Sequence, residues 1–503
     1  MSYENVKKFF DEEGLGDRVV VREHIGDTVE HAAENLISRA YSPEEFQKDV
    51  PKLMDMISRE LESSLTQEVP KTIERYSPEE QLHFWQDDFS SSTPAELPEL
   101  MEKVMAHSVN FHSKGYVGHQ VAVTLPVTVL TSAMMAYMNN CTTVYELGMA
   151  GNAMEKVVIS HLAEKFGYNK GATGFVVSGG SMGNLTALVT ARTSSGIDEK
   201  DYHRLAVMVS GEAHYSVERA AKIMGIRSEN IIKVPVGDDF GIRPELLEST
   251  YQKAVSDGKI VFCVVGCACT TSVGAFDDLE AVADFAEQHQ LWFHVDGAHG
   301  GAVIFSEKYK YLIKGIERSD SLIVDFHKMM MTPPLSTAII YNAGNRKVNE
   351  FSPKAAYLWQ DQLSEEWWNS AKHTLECTKP ITILHTYAIM RLYGDEIYQQ
   401  NVDRLFDMGK QFAEMIKAEK DMELALEPMS NIVCFRYLSK KEDADEINKK
   451  ISEKLLEDGS YYVVSTTVRG KFYLRITIMN PFTDRACLEA LISKIKKIAE
   501  DKE

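Results

Sequence analysis

The sequence predicts an α/β protein in which a mostly parallel sheet is covered on both faces by helices, with a helical arm before it and a small α+β domain after it. Three observations predict this. Charged segments with helical periodicity fill the first 110 residues. Short apolar runs rich in β-branched residues then alternate with amphipathic stretches up to about residue 380. Beyond that, strand-like runs flank a single strong helix pattern. A chain of 503 residues with 44% hydrophobic content is long enough for more than one core, and the segments expected are 1–110, 111–380 and 381–503.

In the first segment, "SPEEFQKDVPKLMDMISRELESSL" repeats apolar positions at three- and four-residue steps, as an amphipathic helix does. In the second, "TGFVVSG", "LAVMVSG", "KIVFCVVGCA", "LWFHVDG" and "SLIVDF" read as buried strands, separated by helical stretches such as "SVERAAKIMG" and "DLEAVADFAEQHQ". In the third, "NIVCFRYL" and "KFYLRITIM" read as strands on either side of the helical "DADEINKKISEKLLEDG".

Composition excludes several functions. A formal charge of −20 argues against holding nucleic acid or an anionic membrane by bulk electrostatics. No apolar run approaches the ~18 residues of a membrane span, and the opening "MSYENVKKFFDEEGLGDRVV" lacks the apolar block of a secretory signal, so a cytoplasmic protein is expected. The seven cysteines include no C-x-x-C pair, so neither a disulfide scaffold nor a metal site is expected.

In open α/β sheets ligands gather at the carboxyl ends of the strands, so the residues just after each apolar run carry the chemistry. Gly179, Gly180 and Ser181 stand between a strand and a helix, where unpaired N–H groups and the helix dipole suit a phosphate; alone they are also compatible with a plain tight turn. His214 follows the next strand, where a histidine is more often a structural residue unless a planar ligand lies beside it. Asp296 closes "WFHV", as a poorly solvated acid that needs a partner or as a helix N-cap. Lys328 follows "LIVDFH", and it either stays in the site or snorkels to the surface. The two lie 328 − 296 = 32 residues apart, the length of one strand–helix–strand unit, which puts them at matching ends of parallel strands.

A phosphate cradle, a neighbour for a planar ring, an acid and a buried lysine together are what pyridoxal phosphate requires. At ~4 Å and an effective dielectric of ~20, a carboxylate beside the ring nitrogen contributes about 4 kcal/mol. That is roughly three pKa units, enough to keep a weakly basic ring nitrogen protonated near neutrality. Asp296 is the candidate for this position.

"SGGSMGNLTAL", "AHYSVERAAKIMGI", "TTSVGAFDDL", "HVDGAHGG" and "HKMM", in this order and spacing, resemble the group II pyridoxal-phosphate-dependent amino-acid decarboxylases, the family of glutamate, aromatic amino-acid and cysteine sulfinate decarboxylases. The resemblance implies the fold of aspartate aminotransferase (fold type I) and pyridoxal 5'-phosphate as cofactor. It implies Lys328 as the lysine that forms the Schiff base, Asp296 at the ring nitrogen and His214 stacked on the ring face. It also implies Gly180, Ser181, Thr271, Ala298 and His327 around the cofactor. "FSPKAAYLWQDQ" resembles the catalytic loop of these enzymes, which makes Tyr357 the proton donor to the α-carbon, helped by His327 or His214. "HSKGYVGHQ" resembles the segment lining the substrate pocket and nominates His119 and Gln120.

Departures from the family bear on the substrate. His299 stands where an aromatic often follows Asp-Ala-Ala, and Cys377, Thr378 and Lys379 stand where glutamate and cysteine sulfinate decarboxylases show Cys-Gly-Arg. If Lys379 faces the site, it binds a carboxylate with less geometric selection than arginine. Asp325 lies near the expected phosphate. The expected function is α-decarboxylation of an L-amino acid, acidic or sulfinic before aromatic, by a homodimer with its sites between subunits and its N-terminal helices clasping the partner. An aminotransferase or carbon–sulfur lyase on the same fold is the first alternative, with Arg475 in "FYLRITIM" as its carboxylate anchor, and a non-catalytic relative is the second.

Overall fold

The computed structural model describes residues 36–66, 71–342 and 367–500. Within these, residues 36–63 and 76–108 form one compact unit, and the described part of 64–75 together with 109–500 forms another. The division expected at residue 380 falls inside the second unit. The first carries α1 (Leu36–Ala40), most of α2 (Pro43–Thr66), α3 (Pro78–Phe89) and α4 (Leu97–Ala106). A capping box starts α3: Ser77 Oγ accepts the Glu80 N–H, and the Glu80 carboxylate accepts the Ser77 N–H at 2.7 Å.

The second unit opens with α5 (Val127–Met138) and α6 (Tyr145–Lys165) and builds a seven-stranded sheet. Its strands are β1 (Thr173–Val177), β2 (Leu205–Ser210), β3 (Ile231–Val234), β4 (Ile260–Cys267), β5 (Trp292–Asp296), β6 (Ser321–Asp325) and β7 (Thr337–Tyr341), in the order β1-β7-β6-β5-β4-β2-β3. Strands β3, β2, β4, β5 and β6 run parallel, and β7 lies antiparallel between β6 and β1. The intervening helices are α7 (Gly180–Ser194), α8 (Tyr215–Ile223), α9 (Leu247–Ser256) and α10 (Leu279–His289).

The period of two along each strand divides the core. In β2, Val207 and Val209 pack with Ala187 and Leu188 of α7, while Ala206 and Met208 face the opposite core with Val282 and Ala283 of α10. Every residue of β2, β5, β6 and β7 is buried, as a sheet covered on both faces demands.

Helices α11 (Ile383–Tyr393) and α12 (Glu396–Ala418) lead to an antiparallel sheet ordered β10-β11-β9-β8, from β8 (Met422–Leu424), β9 (Ile432–Tyr437), β10 (Val464–Val468) and β11 (Lys471–Thr477). Helices α13 (Ala444–Asp458) and α14 (Arg485–Glu500) cover it.

One expectation needs correcting. Strands β5 and β6 are indeed parallel neighbours, but no α-helix joins them; the connection is three 3-10 turns, Gly300–Phe305, Lys310–Ile313 and Ile316–Arg318. The segment is pressed against β6: a Cβ on Gly297 would lie 2.8 Å from the Ile323 carbonyl oxygen and one on Gly301 3.1 Å from the Val324 side chain.

Candidate active site

Asp296 is the last residue of β5, and Lys328 lies three residues beyond the end of β6. Beside them, α7 points its N-terminus at the same strand ends, entered through Gly179 at φ +99°, a conformation that favours glycine. His214 is the N-cap of α8, its Nδ1 accepting the Ser216 N–H. These elements enclose a cavity of about 270 Å³.

All eight residues assigned to the cofactor by resemblance line it: Gly180, Ser181, His214, Thr271, Asp296, Ala298, His327 and Lys328. Asp296 is 7% exposed, with Oδ2 2.9 Å from Asn184 Nδ2 and Oδ1 accepting the Ala298 N–H at 3.2 Å. Burial and the neighbouring Lys328 draw the His214 pKa below its ordinary value, against the opposing pull of Asp296 and Asp325.

Lys328 Nζ sits 2.9 Å from Asp325 Oδ2. Burial works against the ammonium, yet Asp325 outweighs it and holds the lysine pKa above the ordinary range. Burial likewise opposes the Asp325 carboxylate, and Lys328 and His327 overcome it, so this acid stays below its usual value. Thr337 Oγ1 donates to Asp325 Oδ1 at 2.5 Å, and His327 Nε2 lies 3.6 Å from Oδ2. Asp325 therefore holds the lysine and faces a histidine.

His299, noted in the sequence only as a departure, is 2% exposed and also lines the cavity. Asn431 donates its amide N–H to the Ile478 carbonyl, so its Oδ1 takes the His299 Nε2–H at 2.9 Å. Burial pushes the imidazole down to about 3, so it is neutral, and Nδ1 is left as a buried acceptor with no hydrogen-bond partner among the described residues. Arg475 stands behind Thr271, 5% exposed, donating to the Thr271 and Ser272 carbonyls at 2.7 and 3.1 Å.

These residues fit the cofactor. Gly180 opens the helix whose N-terminus lines the cavity, and a Cβ on it would lie 3.3 Å from Asp325 and 3.4 Å from Ala298, a close fit that leaves the backbone N–H groups accessible to a phosphate. The buried Asp296 carboxylate and the orphaned His299 Nδ1 leave two acceptors in the cavity wall.

The pyridoxal-dependent decarboxylase conserved domain matches residues 84–438. The chain belongs to the pyridoxal-dependent decarboxylase family. It is a carboxy-lyase that uses pyridoxal phosphate. An L-aspartate decarboxylase, dtxS4, of Metarhizium robertsii is 29% identical over 444 residues, covering 85% of this chain and 88% of that protein. An aromatic-L-amino-acid decarboxylase of Bacillus atrophaeus is 27% identical over 447 residues, covering 88% and 89%. The crystal structure of mouse CSAD in apo form superposes with a TM-score of 0.84 at 23% identity, covering 92% of this chain and all of that one, which supports the fold.

The three residues proposed for substrate do not line the cavity. Lys379 is corrected outright: it is 6% exposed, its Nζ donates to the Val176 carbonyl, and it lies 3.9 Å from Glu155. A buried glutamate needs a nearby cation more than a substrate does, and Lys379 supplies it. His119 is exposed, its ring 5.8 Å from that of Tyr462, while Gln120 Nε2 is buried without a partner among the described residues. Tyr357 lies outside the described residues.

Proposed function

We propose that this decarboxylase removes the α-carboxylate of an L-amino acid with an acidic or sulfinic side chain in preference to an aromatic one. The observation that carries the reaction is the convergence of all eight cofactor residues on one cavity at the strand ends. Gly180 and Ser181 at the start of α7 would hold the phosphate, His214 and Ala298 the ring faces, Asp296 the ring nitrogen, and Lys328 the covalent attachment. The cofactor supplies an electron sink for the pair released when carbon dioxide leaves.

The chain's own residues do the rest. Asp325 stands 2.9 Å from Lys328 Nζ and holds the ammonium in place, with His327 3.6 Å from the same carboxylate oxygen. Arg475 lies behind Thr271 rather than in the cavity wall, buried, bonded to the Thr271 and Ser272 carbonyls, with no carboxylate among the described residues within 4 Å; it is proposed as a cation for a substrate carboxylate. Partial burial and Arg475 lower the pKa of nearby His119. Tyr357 is proposed to return the proton to the α-carbon on the strength of the loop resemblance. The active form is proposed to be a cytoplasmic homodimer with the site between subunits.

Arg475 would serve an aminotransferase equally well, so the products decide. With acidic, sulfinic, aromatic and basic L-amino acids, we expect amine and carbon dioxide, with acidic or sulfinic substrates fastest. Arg475→Met should raise KM roughly tenfold or more by removing a charge-assisted contact. Equal rates on aromatic and acidic substrates would refute the preference, and a keto-acid product would refute the reaction.

A further inference from the structure

Asp296 and His214 are joined through a single buried amide. Asn184, on α7 and 1% exposed, places Nδ2 2.9 Å from Asp296 Oδ2 and 2.8 Å from Ser216 Oγ, and Oδ1 2.9 Å from His294 Nε2. His294, fully buried on β5, has Nδ1 2.9 Å from Ser321 Oγ, which lies 2.9 Å from Trp292 Nε1. On the other branch, Ser216 Oγ is 2.7 Å from His214 Nδ1.

The acceptor-only end of this chain fixes the hydrogens from Asp296 through Asn184 to His294 Nε2 and His214. Trp292 Nε1–H can only donate, and Ser321 Oγ accepts from it while also lying 2.9 Å from His294 Nδ1. At the far end Asp296 already takes the Ala298 N–H on Oδ1, and its Oδ2 can only accept. Asn184 must therefore turn its NH₂ toward Asp296 and Ser216 and its carbonyl toward His294. The Asp296 end places a proton on His294 Nε2, facing the Asn184 carbonyl, while Nδ1 lies 2.9 Å from Ser321 Oγ and 3.2 Å from the Ser321 carbonyl. Burial keeps this imidazole well below its ordinary pKa, in agreement with a single ring proton. Ser216, having accepted from Asn184, donates to His214 Nδ1, which also takes the Ser216 N–H at 3.3 Å. His214 is left with its hydrogen on Nε2, the nitrogen free of these bonds, in a ring that lines the cavity.

We infer that Asn184 and His294 are positioning residues that preset Asp296 and His214 as one unit, aiming the carboxylate and holding His214 as its Nε2–H tautomer. The assignment rests on the proposed reading that these two side chains face the cofactor. Asn184 lines the cavity and acts through Asp296 and Ser216, and His294, outside the lining, acts by fixing which way the Asn184 amide faces.

A neutron structure of the full-length protein with pyridoxal phosphate reads the hydrogens directly. Deuterium on Nε2 of both His294 and His214, and none on Nδ1 of His214, is expected; an Nε2 without deuterium on either ring, or deuterium on His214 Nδ1, overturns the proposal. Independently, Asn184→Asp replaces the donor with a second acid. It should weaken pyridoxal phosphate binding roughly tenfold or more and move the pH at which the bound cofactor's absorbance changes. His294→Gln, which keeps a donor toward Asn184, should stay within about twofold of the parent, while His294→Leu should lose roughly as much as Asn184→Asp. An unchanged absorbance profile in Asn184→Asp, or equal losses in His294→Gln and His294→Leu, would count against the inference. If the parent protein binds no pyridoxal phosphate, the proposed function fails, while the neutron map of the protein alone still decides the hydrogen positions.

Discussion

Gly180 is confined by its neighbours rather than by its backbone angles. A methyl group there would sit 3.3 Å from the Asp325 carboxylate and 3.4 Å from the Ala298 side chain, in the space a phosphate would need. Gly180→Ala is therefore expected to weaken pyridoxal phosphate binding by about tenfold or more while shifting Tm by only a few degrees. Titration of the cofactor absorbance beside a melting curve checks both parts, and an unchanged affinity would show that the phosphate binds elsewhere. Gly180, Asp296 and Lys328 were legible in the sequence because each follows an apolar run, where a strand end exposes whatever comes next. Asn184, His294 and His299 were not. An asparagine inside a helix and a histidine inside a strand carry no positional mark, and only the fold brings residue 184 to residues 294 and 296. Lys379 failed for the converse reason: its charge is visible in the sequence, but its buried partner Glu155 is far away along the chain.

Among elements, the buried parallel strands were legible because runs such as "LAVMVS" are apolar at every position, a pattern that demands cover on both faces. Strand β3, "IIKV", is only four residues long and carries a lysine, and β7 follows closely after two prolines, so neither stood out. The β5–β6 connection was misjudged from its length alone, since length does not reveal glycines pressed onto a sheet. Helix ends are more local and so more predictable. The Asp443 carboxylate accepts the backbone N–H groups of Asp445 and Glu446 at the start of α13, at 2.9 and 3.2 Å. Asp443→Ala should cost about 0.5–2 kcal/mol of stability with no change in cofactor affinity. Urea unfolding followed by circular dichroism measures the first, and cofactor titration the second.

At the scale of the whole molecule, buried titratable groups make stability depend on pH. His294, His299 and His385 are each buried, and burial lowers the pKa of all three, that of His299 to about 3. Such groups stay neutral in the folded chain while the unfolded chain protonates them near pH 6.5. The unfolded state then binds more protons, and folding loses stability as the pH falls below about 6.5. Asp277, raised by burial to about 6, and Glu155, also raised by burial, act in the opposite sense: folded, they take up protons before the unfolded chain does. The lowered histidines, which also include His112, His119 and His214, outnumber the two raised acids, so stability should decline from pH 7 toward pH 5. Melting curves across that range check it, and a Tm that rises on acidification would contradict it. The sequence showed the histidines but not their burial, which is a property of the packed sheet.

The most direct measurement is a paired assay of carbon dioxide and keto acid from one L-amino acid substrate, run on the parent chain and on Lys328→Ala with pyridoxal phosphate added. The expected result is carbon dioxide and amine in equal amounts from the parent, no keto acid, and neither product from Lys328→Ala. Keto acid without carbon dioxide, or full carbon dioxide release by Lys328→Ala, would contradict a decarboxylase built on Lys328.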